Sequence, residues 1–129
     1  MNLAQWSAVD RYFADVMIPA DPVMEAALAA NSAAGLPAIH VAPNQAKPLQ
    51  LLVRIHASRT VLEIGTLAGN STIWLARALP PGGTVITLEL DPKHAAVARE
   101  NFKRAELANV IDLRLGAAID MLPRLVGTL

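Results

Sequence analysis

The segment that most constrains the fold is a β-branched run, Thr60 to Ile64, that ends in Gly65. A second glycine, Gly69, leads into a stretch of helical character from Asn70 to Leu79. Glycine is required where a backbone turns tightly or must touch a ligand. The first turn of a helix exposes unpaired amides at the positive end of its dipole. The segment therefore predicts a strand, a tight turn and a helix whose start can hold an anionic group.

The rest of the C-terminal half repeats the alternation of strand and helix. It predicts a strand over Thr84–Leu90, a helix from Asp91 to about Leu107, a strand over Val110–Leu115 and a short helix over Ala118–Leu125. Strands and helices that alternate through short connections form parallel sheets with right-handed crossovers. We therefore predict an α/β fold with a Rossmann-like, doubly wound parallel sheet, in which residues 58–129 form the ligand-binding βαβαβ region.

Residues 1–57 are predicted to be helical and to belong to the same single domain of 129 residues. The first helix covers Leu3–Met17, and its apolar face has three aromatic residues that we expect to pack rather than to form a ligand cage: Trp6, Tyr12 and Phe13. Asp21, followed by Pro22, caps a second helix that ends near Ala34. Asn44 is expected to cap a third helix to about Ala57, with an apolar side made of Leu49, Leu52, Val53 and His56.

Charge and cysteine content narrow the classes of function. Lysine plus arginine number 11, as do aspartate plus glutamate, so the formal net charge is 0. Such a chain lacks the cationic surface that nucleic acids and anionic membranes attract, and neither is an expected partner. The absence of cysteine excludes disulfides and thiolate metal sites and fits a reducing compartment. No apolar run reaches the length of a membrane span, so we expect a cytoplasmic protein.

The side chains at positions 67 and 89 indicate which class of ligand the loop can hold. In a dinucleotide site, the middle glycine of the loop lets the backbone approach a diphosphate, and here that position holds Leu67. A smaller ligand carboxylate suits this loop better. Glu89 ends the second strand, where a doubly wound fold places an acid that accepts hydrogen bonds from ribose hydroxyls. The alternatives are a plain strand-to-helix turn for the loop and a solvated strand-end charge for Glu89.

Another acid, Glu63, interrupts the apolar run near the end of the first strand, where an unpaired carboxylate is costly. We expect it to organise the loop amides or to face an amino group of the ligand. The alternative is an exposed residue on an edge strand. Asp91 is interpreted chiefly as the N-cap of the next helix, because Pro92 follows it.

The three histidines share no metal-ligand spacing, and no metal site is predicted from them. His56 is expected at the boundary of the core and His94 on the surface of a helix. His40 lies in the connector before the third helix and is the histidine we expect nearest to the functional site. No catalytic residue is assigned.

Together, these residues resemble the class I S-adenosylmethionine-dependent methyltransferases, and more narrowly the O-methyltransferase family that includes catechol and caffeoyl-CoA methyltransferases. Val61–Thr66, with Gly69 and Ser71, matches the first motif of that family. Thr87–Pro92 matches its ribose-binding strand end, and Leu115–Pro123 matches the segment beside the adenine. Residues 43–45 resemble its lead-in to the helix before the first strand. The resemblance covers roughly residues 36–125.

The resemblance implies S-adenosylmethionine as cofactor and methyl transfer to a small-molecule hydroxyl as activity. It implies nine cofactor-binding residues: Glu63, Gly65, Thr66, Gly69, Ser71, Glu89, Leu90, Ala117 and Ala118. Among them, Gly65 and Thr66 would line the methionine part, and Ser71 would bind its carboxylate. Glu89 would hold the ribose, and the two alanines would flank the adenine. Two departures, Asn70 in place of a frequent aromatic residue and Ala46 in place of a frequent glycine, leave the shape of the site open.

The resemblance also implies a longer protein, because the family's next strand would follow Leu129. We expect only the 3-2-1 half of the sheet, a partial methyltransferase domain that is inactive or nearly so by itself, and a divalent cation only in a longer form. The first strand would then be an apolar edge, which we expect to pair with another chain or with more of a longer protein. A homodimer is expected, with the N-terminal helix as an interface.

Three hypotheses follow. The leading one is an O-methyltransferase represented by its cofactor-binding part. The second is a non-catalytic S-adenosylmethionine-binding or dimerisation module. The third is a fragment of a dinucleotide-dependent oxidoreductase, which Leu67 disfavours. The methyl acceptor is not specified by the sequence.

Overall fold

The computed structural model describes residues 2–129, in which six helices surround one three-stranded parallel sheet. The helices are α1 (Leu3–Met17), α2 (Pro22–Ala33), α3 (Pro43–His56), α4 (Asn70–Ala76), α5 (Pro92–Arg104) and α6 (Ala118–Leu125). The strands are β1 (Thr60–Ile64), β2 (Thr84–Glu89) and β3 (Ile111–Leu115), in the spatial order β1-β2-β3. This order confirms the predicted α/β fold and the 3-2-1 arrangement.

The strand register brings the predicted site residues to one edge of the sheet. Ile64 at the end of β1 lies opposite Leu88 of β2, and Glu89 lies opposite Leu115 at the end of β3. Parallel strands end at the same edge, and doubly wound sheets bind their ligands in the crevice outside these carboxyl ends. The loops that follow β1, β2 and β3 therefore meet where a ligand site is expected.

Two hydrophobic clusters cover the two faces of the sheet. The larger one joins α2, α3, α4 and α5 to the sheet and includes Ile73, Val85 and Phe102. The smaller one packs Leu125 of α6 against Ile86 and Leu88. Neighbouring residues of β2 belong to opposite clusters because successive side chains of a strand point to opposite faces. The sheet is therefore a central layer between helices.

The starts of two helices confirm their predicted caps. The Asp21 side chain accepts hydrogen bonds from the backbone amides of Val23 and Met24, and Asp91 accepts one from Lys93. Each aspartate is followed by a proline, whose fixed φ suits the first helical position. The cap-and-proline pattern therefore located α2 and α5 correctly.

The start of α3 differs from its prediction. The helix begins at Pro43, and Ala42 holds the cap position without a side-chain hydrogen bond. Asn44 lies inside the first turn, and its side chain donates to Asp10 of α1 at 2.7 Å. The prediction of Asn44 as N-cap was wrong, because Pro43 is itself suited to the first helical position.

The buried face of α3 also differs from its prediction. Its buried residues are Ala46, Gln50 and Val53. By contrast, Leu49 and Leu52 are 40% and 61% exposed, and His56 is exposed as well. Residues three and four positions apart share one face of a helix, and the small Ala46 lies on the face that packs against α4. Side-chain hydrophobicity alone therefore pointed to the wrong face, except at Val53.

Helix α1 has no buried residue. Its three aromatic residues lie partly at the surface, because Trp6, Tyr12 and Phe13 are 54%, 64% and 45% exposed. Among residues 2–129, no helix is long and apolar enough to cross a membrane.

Candidate functional site

The loop after β1 begins with a glycine that leaves open space. The Gly65 amide donates to the carbonyl of Leu88 at 2.8 Å, which continues the pairing of β1 with β2. Gly65 has a φ of 91°, and a Cβ there would meet nothing within 4 Å. The absent side chain therefore keeps the end of the strand open.

The second glycine of the loop, Gly69, is required for helix packing rather than for open space. Gly69 has a φ of 83°, and a Cβ there would lie 2.3 Å from Cε1 of Phe102. Gly69 is therefore needed so that the start of α4 can pack against the ring of α5. It lines neither of the two cavities described below.

Glu89 organises the loop from the neighbouring strand. Its Oε2 accepts hydrogen bonds from the backbone amides of Thr66 and Leu67 at 3.0 and 2.8 Å. Its Oε1 accepts one from the amide of Asp91 at 2.9 Å and lies 3.5 Å from Nδ1 of His94. The residue is only 8% exposed. The alternative of a solvated strand-end charge is therefore excluded.

The surroundings of Glu89 favour its ionised form. Burial, the largest single influence, raises the pKa of the carboxyl. The amides of Asp91, Leu67 and Thr66 and the nearby His94 act in the opposite direction, and together they hold the pKa below its ordinary value. Glu89 is therefore a carboxylate at neutral pH.

Glu63 binds hydroxyl groups rather than loop amides. Its carboxylate accepts hydrogen bonds from Ser71 at 2.7 Å, Thr72 at 2.5 Å and Thr87 at 2.7 Å. The Thr87 hydroxyl also lies 2.6 Å from that of Thr66. The expectation that Glu63 organises the loop amides was wrong, because Glu89 accepts from them. Glu63 instead ties the first turn of α4 to β1 and β2.

Two cavities adjoin along Gly65 and Glu89, which line both. The first, of about 410 Å³, lies between the loop and the connector before α3, and its lining includes Thr66, Ser71 and His94. The second, of about 280 Å³, lies between the ends of β2 and β3. Its lining includes Leu90, Ala117 and Ala118. Seven of the nine predicted residues thus line one cavity or both, the others being Glu63 and Gly69.

Two histidines line the first cavity, and of these only His94 is placed differently from its prediction. His94 is half-buried and lines the first cavity, with its Nε2 at 3.7 Å from the Asp91 carboxylate. It lies three positions after the helix cap, a spacing that places it on the same face and could have revealed it. His40 lines the same cavity, as its connector position indicated.

Sequence reasoning also did not assign four other residues that line the first cavity: Ile39, Val41, Leu67 and Asn70. Ile39 and Val41 flank His40 in a connector without regular structure, so periodicity gave no signal for them. Within residues 2–129, no group of three or more acidic, histidine or cysteine side chains is arranged to hold a metal ion.

Comparison with known proteins identifies the family. The family model described as O-methyltransferase matches residues 18–128. The chain is 52% identical over 126 residues to a catechol O-methyltransferase of Niastella koreensis and 50% identical over 119 residues to one of Mycobacterium tuberculosis. These matches cover 98% and 92% of this chain. The fold and site define a Rossmann-like domain, and the chain belongs to the O-methyltransferase family.

Solved structures agree with this assignment. An O-methyltransferase from Bacillus cereus, solved in complex with SAH, superposes with a TM-score of 0.95 at 51% identity over 97% of this chain. One from Streptomyces achromogenes, in complex with SAM, gives a TM-score of 0.91 at 38% identity over 97% of this chain. The matches cover 57% and 56% of those chains, and 57% and 54% of the two curated relatives. The chain thus spans little more than half the length of these relatives.

Proposed function

We propose that this chain forms the S-adenosylmethionine-binding part of an enzyme that methylates a hydroxyl group of a small molecule. The observation that carries the proposal is the pair of adjoining cavities that share Gly65 and Glu89. One cavity is bordered by polar groups of the loop and of α4, and the other by two alanines. This division suits a ligand with a polar amino-acid end and a flat aromatic base whose faces pack against small apolar side chains.

The residues present fit the two ends of this cofactor. Ser71 and Asn70, in the first turn of α4, offer polar groups to its amino-acid end. Glu89, as a buried carboxylate, offers acceptor oxygens to the ribose hydroxyls. The second cavity offers the adenine a surface of apolar side chains, which includes Leu90, Ala117 and Ala118. Gly116, with a φ of 148°, turns the chain there, and a Cβ would lie 2.9 Å from Sδ of Met121.

When bound, S-adenosylmethionine supplies an activated methyl group carried on a sulfonium. The contribution of this chain is to hold and orient that group, because alignment of the reacting atoms supplies much of the rate of such a transfer. The connector before α3 lines the first cavity opposite the loop with Ile39, His40 and Val41. We therefore expect this connector to control access to the methyl group. Two of the relatives above carry the name catechol O-methyltransferase, so catechol is the first acceptor to test.

The binding proposal is tested by calorimetric titration with S-adenosylhomocysteine and with NAD. We expect S-adenosylhomocysteine to bind more tightly than NAD. Glu89→Ala should weaken its binding by about 1–3 kcal/mol, because hydroxyl groups of the ligand lose their acceptor. Glu100→Ala, the same substitution at a surface position of α5, is the matched control and should leave affinity unchanged. Tighter binding of NAD, or equal binding by Glu89→Ala and the wild type, would contradict the proposal.

We also propose that the protein is a cytoplasmic homodimer. The cysteine-free sequence supports a reducing compartment. The support for self-association is the outer face of α1, where Tyr12 and Val16 are 64% and 65% exposed one helical turn apart. Clusters of exposed apolar side chains mark interaction surfaces in many proteins.

A further inference from the structure

The amides of the loop after β1 already hold an anion, and that anion is a side chain of the same chain. The successive amides of Thr66 and Leu67 converge on a single oxygen, Oε2 of Glu89, at 3.0 and 2.8 Å. Leu67 has a φ of 51°, in the left-handed region that a non-glycine residue adopts rarely. Consecutive amides turned to one side in this way form a concave pair that binds phosphates and other anions.

The Glu89 carboxylate is fixed in this position. The amide of Asp91 holds its other oxygen at 2.9 Å, and only 8% of the residue is exposed. Moving the carboxylate out of the loop would leave three backbone donors without an acceptor, which is costly when they are buried. A ligand phosphate could use the Thr66 and Leu67 amides only by displacing Glu89 from them.

The charges around both cavities also disfavour a phosphate at the loop. Among the described residues that line them, none is a lysine or arginine, and Glu89 lines both. The lining groups able to carry a positive charge are His40 and His94. A phosphate at the loop would therefore meet a carboxylate at short range without a permanent cation to offset it, and such a pairing of like charges is strongly unfavourable.

We propose that Glu89 is a specificity-determining residue: it occupies the anion-binding amides of Thr66 and Leu67 and so excludes nucleotides that carry a phosphate or diphosphate, while it accepts nucleosides through their ribose hydroxyls. This inference rests on the proposed nucleoside cofactor. Dinucleotide sites also place an acid at this strand end, so the selectivity is assigned to the occupation of the Thr66 and Leu67 amides by the carboxylate. The alternative cause is the bulk of the Leu67 side chain, which stands where a diphosphate loop has its middle glycine.

The inference is tested by calorimetric titration of S-adenosylhomocysteine and ADP into the wild type and two variants. The wild type should bind S-adenosylhomocysteine and show no measurable binding of ADP. Glu89→Ala frees both amides and removes the charge, so ADP binding should become measurable, with an affinity at least about tenfold above the detection limit of the titration. Glu89→Gln removes the charge but keeps one acceptor oxygen, so its gain should be smaller. Both variants should bind S-adenosylhomocysteine more weakly.

Asp91→Asn is the matched control, because it removes the same charge two residues away without touching the loop amides. Asparagine caps a helix as well as aspartate does, so α5 should be preserved. Its affinity for ADP should stay unmeasurable. Hydrogen exchange at the amides of Thr66 and Leu67 provides an independent readout, and it should accelerate in Glu89→Ala but much less in Glu89→Gln.

Two outcomes would overturn the inference separately from the proposed function. The first is that the wild type binds S-adenosylhomocysteine, the two amides exchange faster in Glu89→Ala, and ADP still does not bind. The second is that Leu67→Gly gains affinity for ADP while neither Glu89 variant does, which would assign the exclusion to side-chain bulk. Failure of the wild type to bind S-adenosylhomocysteine would instead overturn the proposed function and this inference with it.

Discussion

Gly65 and Gly69 show how two residues of one type serve different purposes within one loop. Both have a positive φ, which glycine adopts without strain. Around Gly65 there is open space at the edge of the candidate site, whereas Gly69 faces the ring of Phe102. A substitution of Gly65 should therefore affect ligand binding, whereas a substitution of Gly69 should affect the packing of α4 against α5.

Gly69→Ala should destabilise the fold. The new Cβ would lie 2.3 Å from Cε1 of Phe102, a buried ring that cannot move away without disturbing the core. We expect a loss of about 2 kcal/mol beyond the cost of the positive φ, as overpacking typically gives. Gly35→Ala is the control, because Gly35 also has a positive φ but a Cβ there meets nothing within 4 Å. Urea unfolding measures both, and equal losses for the two variants would contradict the packing role.

At the scale of elements, one ion pair joins two helices that are distant in the sequence. Asp21, the cap of α2, hydrogen-bonds with Arg77, which ends α4. Burial, the largest influence, raises the pKa of Asp21. The hydrogen bond and charge of Arg77 and the amides of Met24 and Val23 act oppositely, and together they lower the pKa below its ordinary value. A single carboxylate thus both caps α2 and ties it to α4.

The lowered pKa of Asp21 determines how its contribution to the free energy of unfolding changes with pH. A carboxyl whose pKa is lower in the folded state adds stability above its ordinary pKa, and this stability is lost as the pH falls through the folded value. A double-mutant cycle of Asp21→Asn and Arg77→Gln should therefore give a coupling of about 0.5–1 kcal/mol at pH 7, since both side chains are partly exposed. Asparagine keeps the cap. Urea unfolding at several pH values should show this coupling decline as the pH falls below the ordinary pKa of an aspartate, and a constant coupling would contradict the ion pair.

Element boundaries were predictable from the sequence wherever one local signal decided them. Proline after aspartate located the starts of α2 and α5, and the β-branched run located β1 within its observed bounds. The buried face of α3 was not predictable in the same way, because Ala46 and Gln50 are buried by the approach of neighbouring helices rather than by their own hydrophobicity. Local patterns specify where a helix is, and packing specifies which way it faces.

Most of the residues predicted for the site line one of the two cavities, but the hydrogen-bond partners of its two carboxylates were not predictable. The positions of Glu63 and Glu89 at strand ends indicated functional carboxylates. Which of them accepts from the loop amides depends on the register of β1 and β2 and on the left-handed conformation of Leu67. Neither can be read from residue types, since leucine rarely adopts that conformation. The expectation of a ligand anion at the loop therefore missed the carboxylate that the chain itself places there.

At the scale of the molecule, two surfaces of the described chain lack a covering element. Within residues 2–129, β1 pairs only with β2, and its last residue, Ile64, is 61% exposed. The outer face of α1 is the second surface, with Tyr12 and Val16 among its exposed apolar residues. Edge strands and apolar patches both favour association between chains. Each surface is a candidate contact with a second copy or with further residues of a longer protein, and variants can separate the two surfaces.

The proposed homodimer is tested by sedimentation across a range of protein concentrations. Replacing Tyr12 and Val16 together by lysine places charges one turn apart on α1, and the protein should then sediment as a monomer where the wild type is a dimer. Val126→Lys is the control, because this residue is 81% exposed but lies outside α1. It should leave the dimer intact. Dissociation by Ile64→Lys but not by the α1 variant would instead assign the association to the edge of β1, because a buried lysine there would oppose pairing between strands.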